Sequence, residues 1–148
     1  MRISKRIISA ILCCTISICL NLSFVSAEEY IPPITITPVS DNWEQMRDAY
    51  NTFDISDTGM ATMSATTDGY FNSTEVTVSM YLERLQNGKW TTVSGMSWSS
   101  SKTTTSTVTL NKSRAVVSGY NYRLRSEHSA TGPNGTDSTT VYSVMIYY

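Results

Sequence analysis

The chain holds a single histidine, His128, in the run Arg125-Ser126-Glu127-His128-Ser129. A hydrolytic triad needs such an imidazole within hydrogen-bond reach of a hydroxyl nucleophile and of a carboxylate that orients it. Serines and threonines are so abundant that one beside the histidine carries no information, and the strained Gly-x-Ser-x-Gly turn that presents a nucleophile is absent. His128 shares its parity with Tyr122, Leu124 and Ser126, so it reads as a structural or solvent-facing residue rather than a catalytic one. Asp54, Asp57 and Asp68 fall at or near turns, where hard oxygen ligands hold calcium, but the Asp-x-Asp-x-Asp-Gly loop is missing and aspartate is common in turns for local reasons. Glu75, Glu83 and Glu127 supply carboxylates for glycoside hydrolysis, with no spacing that recommends them over a solvated sheet face. The expectation is a protein without catalytic residues, metal ligands or cofactor.

Aromatic side chains are the remaining candidates for function. Nine tyrosines and three tryptophans give flat amphipathic rings that stack on sugars or anchor a protein partner, although some must also build the core. Tyr81 lies on the face of its run opposite Val78, Met80 and Leu82 and is the best candidate for an exposed ring. Trp90 and Trp98 share a parity, which turns both inward, yet Val93 between them has the opposite parity and hints at a bulge. Tyr81, Trp90 and Trp98 are the candidate binding residues.

The elements that must carry these side chains begin after an export signal. Arg2, Lys5 and Arg6 precede an apolar run from Ile7 to Leu20, too short for a comfortable membrane span, and Val25-Ser26-Ala27 offers small or short side chains at the −3 and −1 positions of a signal peptidase site. Cleavage is expected between Ala27 and Glu28. All three cysteines, Cys13, Cys14 and Cys19, fall inside that segment, and Leu12 and Ile18 before them disfavour lipidation. A domain exported without disulfides is held by its core alone, which points to a bacterial source. Of the 11 basic residues three leave with the signal, so 8 face 12 acidic residues in the mature chain. That balance argues against a nucleic-acid ligand, and no basic amphipathic helix suggests a membrane surface once the signal is gone. The protein is expected to be secreted and extracellular.

Residues 28–50 carry Pro32, Pro33 and Pro38 among β-branched neighbours and then Trp43, Met46 and Tyr50 at helix-like spacing, which suggests an extended or partly helical arm. Residues 51–148 read as seven short β-prone runs separated by turns. In Thr74 to Gln86, Val76, Val78, Met80 and Leu82 occupy one face. Asn87-Gly88 then closes a hairpin, since both central residues of a type I′ turn need positive φ. Further turns fall at Lys112-Ser113 and at Gly132-Pro133-Asn134-Gly135. Tyr122, three residues after Gly119, is placed to form a tyrosine corner, its hydroxyl bonding upstream backbone where the chain crosses between sheets. The expected fold is all-β, an antiparallel sandwich of immunoglobulin-like type.

Two stretches, MYLERLQNGKWTTVSGMSW and SGYNYRLRSEHSATGPNGTDSTTVYS, carry a wider likeness. Leu82 or Leu85, Asn87, Gly88 and Trp90 in the first, with Gly119, Tyr120, Tyr122, Arg123, Tyr142 and Ser143 in the second, resemble the pattern of a family of small secreted proteins of Gram-positive bacteria. The resemblance implies the sandwich architecture and no particular activity. Three functions follow as expectations in descending order: a secreted non-catalytic module binding a glycan or an extracellular protein; a self-associating extracellular structural protein, from the uncharged edge-like run Thr103 to Thr109; and, last, an exported hydrolase. Oligomeric state is left open.

Overall fold

Along Glu75–Gln86, Val76, Val78, Met80 and Leu82 are fully buried and alternate with less buried Thr77, Ser79 and Tyr81, the period of a strand with one face in the core. Each such side chain taken from water contributes on the order of 1.5–3 kcal/mol. The computed structural model describes residues 43–103 and 105–148, so the signal segment 1–27, the Ala27 and Glu28 junction and most of the arm lie outside the described residues. Among the described residues eight strands form: β1 (Met46–Ile55), β2 (Met60–Gly69), β3 (Glu75–Gln86), β4 (Lys89–Lys102), β5 (Thr107–Ala115), β6 (Asn121–Gly132), β7 (Gly135–Tyr142) and the short β8 (Ile146–Tyr147).

They make two antiparallel sheets, one ordered β1-β2-β5 and one ordered β4-β3-β6-β7 with β8 paired to the start of β6. The core lies between them: Ala49, Phe53, Ala61, Met63, Ala65 and Val108 from the first sheet meet Val76, Val78, Met80, Leu82, Leu124 and Val141 from the second. This is an immunoglobulin-like β-sandwich in which β4 belongs to the sheet of β3 and β6.

Three features depart from the expected layout. No helix forms in residues 43–50, and the sandwich begins at Met46 rather than at Asn51. The register of β1 against β2 slips between Met46 and Asp48, so Met46 and Ala49, three apart, both turn inward before the alternation Ala49, Asn51, Phe53 takes over. That bulge imitates helical spacing. In addition, Lys112-Ser113 is not a turn, because β5 stays paired with β2 as far as Ala115 opposite Met60. Finally, the last run is two strands: at Ser143 the hydroxyl accepts from Leu124 N–H at 2.8 Å and takes the place of a strand partner before β8 resumes.

Local chemistry sets the connections that matter for the site. Asn87 and Gly88 both take positive φ, 51° and 75°, and turn β3 into β4. Gly119, φ 88°, lies in the crossing from β5 to β6. Just beyond it Tyr122 is 1% exposed and its hydroxyl donates to Val117 O at 2.7 Å, tying the start of β6 to the crossover. Tyr122→Phe should therefore lower unfolding stability by about 1 kcal/mol, read as a shifted urea midpoint at unchanged slope.

Candidate functional site

The pairing of β4, β3, β6 and β7 stacks their outward side chains in rungs across the larger sheet. Ser101, Thr77, Ser129 and Ser138 form one rung, and Ser99, Ser79, Glu127 and Thr140 the next. Ser97, Tyr81, Arg125 and Tyr142 form the third, and Thr92, Glu83 and Arg123 continue beyond it. One half of this face is thus mostly hydroxyl, and the other is arginine, glutamate and aromatic ring.

In the second half, Arg123 lies between two rings, its guanidinium carbon 4.3 Å from the centre of Trp90 on β4 and 4.3 Å from that of Tyr142 on β7. Arg125 covers Tyr81 at 4.0 Å. Glu83, nearly buried, accepts from Arg123 Nε and Arg125 Nε, each at 2.8 Å, so one carboxylate holds both cations. Glu127 accepts from Arg125 Nη1 and from the Tyr81 hydroxyl at 3.0 Å. Burial penalises the Arg125 cation, but bonds and charges from Glu83 and Glu127 outweigh it, and the pKa stays above its ordinary value. Flat groups locked by stacking and ion pairs form a preorganised surface, since little rotamer freedom remains to be lost on contact.

The three aromatic candidates part company here. Between Tyr81 and Glu83 on β3, the facing strand β4 runs from Ser97 to Thr92, three residues more than the ladder needs. The surplus lies in the bulge Val93-Ser94-Gly95-Met96, four residues where Leu82 alone stands on β3, with Gly95 at φ 73°. An odd surplus reverses the parity of everything after it. Trp90 consequently stands on the outer face, and Trp98, opposite Met80, packs partly buried against the core with Arg114 of β5 5.7 Å from its ring centre. The expectation that both tryptophans turn inward is corrected for Trp90. Tyr81 and Trp98 still share a small hollow of about 240 Å³ with Ser97 and Ser99, while Trp90 lies outside it. Glu83 entered from sequence only as one of three carboxylates for hydrolysis, and Arg123 and Arg125 were not singled out as site residues. The signal that could have found them is the strict alternation Tyr122-Arg123-Leu124-Arg125-Ser126-Glu127, which sets both arginines and Glu127 on one face.

His128 points the other way, into the core, and is 2% exposed. Its Nε2 meets Ser126 Oγ at 2.8 Å and its Nδ1 meets Thr67 Oγ1 at 2.8 Å. Thr67 donates its own proton to Thr77 O at 2.8 Å, and Ser126 accepts from Asn51 Nδ2 at 2.7 Å. These directions assign the proton to Nδ1: Asn51 donates to Ser126, Ser126 to Nε2, Nδ1–H to Thr67, and Thr67 to the backbone of β3. One oriented chain so joins β1 and β2 to β6 and β3. The Ser126 hydroxyl is wholly buried, which leaves no approach for a substrate carbonyl. Burial pushes the imidazole down to about 4, so it is neutral at pH 7.

Among the described residues no three histidine, cysteine, aspartate or glutamate side chains converge as a metal would require. Asp68 pairs with Arg47 and accepts from Thr107, and Asp137 accepts from Met46 N–H at 3.0 Å, tying β7 to the start of β1. Comparison with protein-family models, curated proteins and solved structures finds no match.

Proposed function

We propose that the chain is an exported, non-catalytic binding module that recognises an extracellular glycan or protein with the outer face of its five-stranded sheet. The observation that carries this reading is the Trp90–Arg123–Tyr142 stack, held by Glu83 at the centre of a rigid sheet. Tryptophan, tyrosine and arginine are the residue types that dominate binding energy at interfaces, and Tyr142 is 40% exposed. Non-catalytic action is supported by the buried Ser126–His128 pair and by Arg125, which engages both Glu83 and Glu127. Export rests on the leader-like residues 1–27, and kinship with secreted Gram-positive proteins on the motifs around Asn87-Gly88 and Gly119-Tyr120.

The mature chain should bind components of arrays of cell-wall glycans, host glycans and extracellular proteins, and Trp90→Ala and Tyr142→Ala should each weaken that binding at least tenfold while leaving the thermal transition cooperative. Arrays silent for the wild type, or unaffected by both substitutions, would contradict the reading.

A second reading, self-association, draws on β5, which among the described residues pairs with β2 on one side and with no strand on the other. Lys112 and Arg114 place like charges along that strand, a common guard against edge pairing. Sedimentation at high concentration separates the two: monomer alone removes the second.

A further inference from the structure

Beside the arginine half of the outer face lies a hollow of about 510 Å³, within the size range of small-molecule sites. His128 and Thr139, paired strand neighbours whose side chains turn to the inner face, border it, and six outward side chains line it: Thr77 and Ser79 of β3, Glu127 and Ser129 of β6, and Ser138 and Thr140 of β7. These six are the middle and one side of two adjacent rungs, so hydroxyls repeat about every 4.8 Å across strands and about every 7 Å along them. We propose that this hollow seats two or three residues of a neutral glycan; the inference rests on the outer-face reading above and names its ligand class.

The lining chemistry selects that class by elimination. None of the six side chains is cationic and Glu127 is anionic, so a phosphate, a sulfated sugar or a uronic acid meets repulsion without a compensating partner. None is an aliphatic or aromatic side chain, so a lipid or an apolar peptide gains little from desolvation there. Three hydroxyls that both donate and accept, on Ser129, Ser138 and Thr140, two that accept, on Thr77 and Ser79, and one carboxylate that only accepts instead match a ligand whose surface is itself mostly hydroxyl. Glu127 retains lone pairs for such a donor after bonding Arg125 and Tyr81, because a carboxylate offers about four acceptor positions.

The site is also held in place. Thr77 donates to Ser101 at 3.2 Å and Ser79 to Ser99 at 2.9 Å, both toward β4. Those bonds anchor one wall, while Ser129, Ser138 and Thr140 form the opposite one. Glu127 is fixed by Arg125 and by the Tyr81 hydroxyl, both from the next rung. A glycan in the hollow would therefore extend toward the Trp90–Arg123–Tyr142 stack, where a further sugar ring meets aromatic surface.

The test titrates the mature chain by calorimetry with chitotriose, cellotriose, maltotriose and mannotriose, and with a heparin tetrasaccharide as the anionic comparison. At least one neutral trisaccharide should bind and the heparin fragment should not. Glu127→Gln should weaken the neutral ligand about tenfold or more, and Ser138→Leu, which fills the hollow from an exposed strand position, should abolish detectable binding with thermal stability kept near wild type. If no neutral trisaccharide binds, or if Ser138→Leu and Glu127→Gln both bind as wild type, the inference is wrong. In that second case, loss of binding in Trp90→Ala would keep the outer face as the binding surface and move the ligand off the hollow; array binding to a protein alone would do the same. Tighter binding of the heparin fragment than of every neutral sugar would also overturn it.

Discussion

Between about pH 6.5 and about pH 4 the fold should lose about 3 kcal/mol through His128 alone. In the folded state both ring nitrogens are committed, Nδ1–H to Thr67 and Nε2 to Ser126, and the ring is shielded from water. In the unfolded chain the imidazole takes a proton at its ordinary pKa near 6.5, whereas in the native state burial holds that pKa at about 4. The lowered native value means that the unfolded state binds more protons throughout this interval, so stability falls as pH falls. Above about 6.5 both states are neutral and the effect is absent; below about 4 both are charged and no more is lost. Urea midpoints taken at several pH values in this range measure the slope. His128→Gln removes the titration and should flatten the profile there, whatever it does to stability at pH 7. An unaltered slope in that variant would show that other groups carry the acid dependence.

Removal of Glu83 should be the most damaging change on the outer face, at about 2 kcal/mol for Glu83→Ala. Breaking a buried pair from one side costs roughly 3–5 kcal/mol because the abandoned charge stays desolvated. The guanidinium groups here are about a fifth exposed, and Arg125 keeps Glu127, so the loss falls below that range, at about 2 kcal/mol. Glu127 is 46% exposed, and Glu127→Ala should cost less than about 1 kcal/mol, as exposed ion pairs do. The contrast between the two carboxylates, not either value alone, tests whether Glu83 organises the stack. Equal losses would mean that the stack is held by packing on Trp90, Tyr142 and Tyr81, with the ion pairs secondary. Glu83→Ala should also weaken ligand binding, since Arg123 and Arg125 lose the group that fixes their planes.

How far the sequence disclosed this arrangement depends on whether each signal was local. The alternation of Val76, Val78, Met80 and Leu82 and the Asn87-Gly88 turn could be read directly, because side-chain period and positive φ are properties of a few neighbouring residues. Parity breaks could not be placed. A bulge is stabilised by the strand opposite, so three surplus residues around Gly95, and the slip near Met46, become visible only when β3 and β2 are paired with their partners. That is why Trp90 and Trp98 looked alike and stand on opposite faces, and why the spacing of Trp43, Met46 and Tyr50 suggested a helix where a bulged strand forms. The polar chain through Asn51, Thr67, Ser126 and His128 was hidden for a related reason, since its members come from three strands up to 77 residues apart and each alone resembles a surface hydroxyl or amide. The paired rungs of the binding face were half visible: parity set Arg123 with Arg125 and Tyr81 with Glu83, but only the β3–β6 register put the two sets together.

The central claim is that ligand recognition belongs to the outer face of the β4-β3-β6-β7 sheet. Amide chemical-shift mapping of the labelled mature chain with the strongest binder from the glycan and protein arrays tests it most directly. Shifts should cluster at Tyr81, Trp90, Arg123, Arg125 and Tyr142 and spread to the Ser129–Ser138 rung. Shifts confined to the outer side of the β1-β2-β5 sheet, or to the exposed loop at Tyr70 and Phe71, would contradict the account.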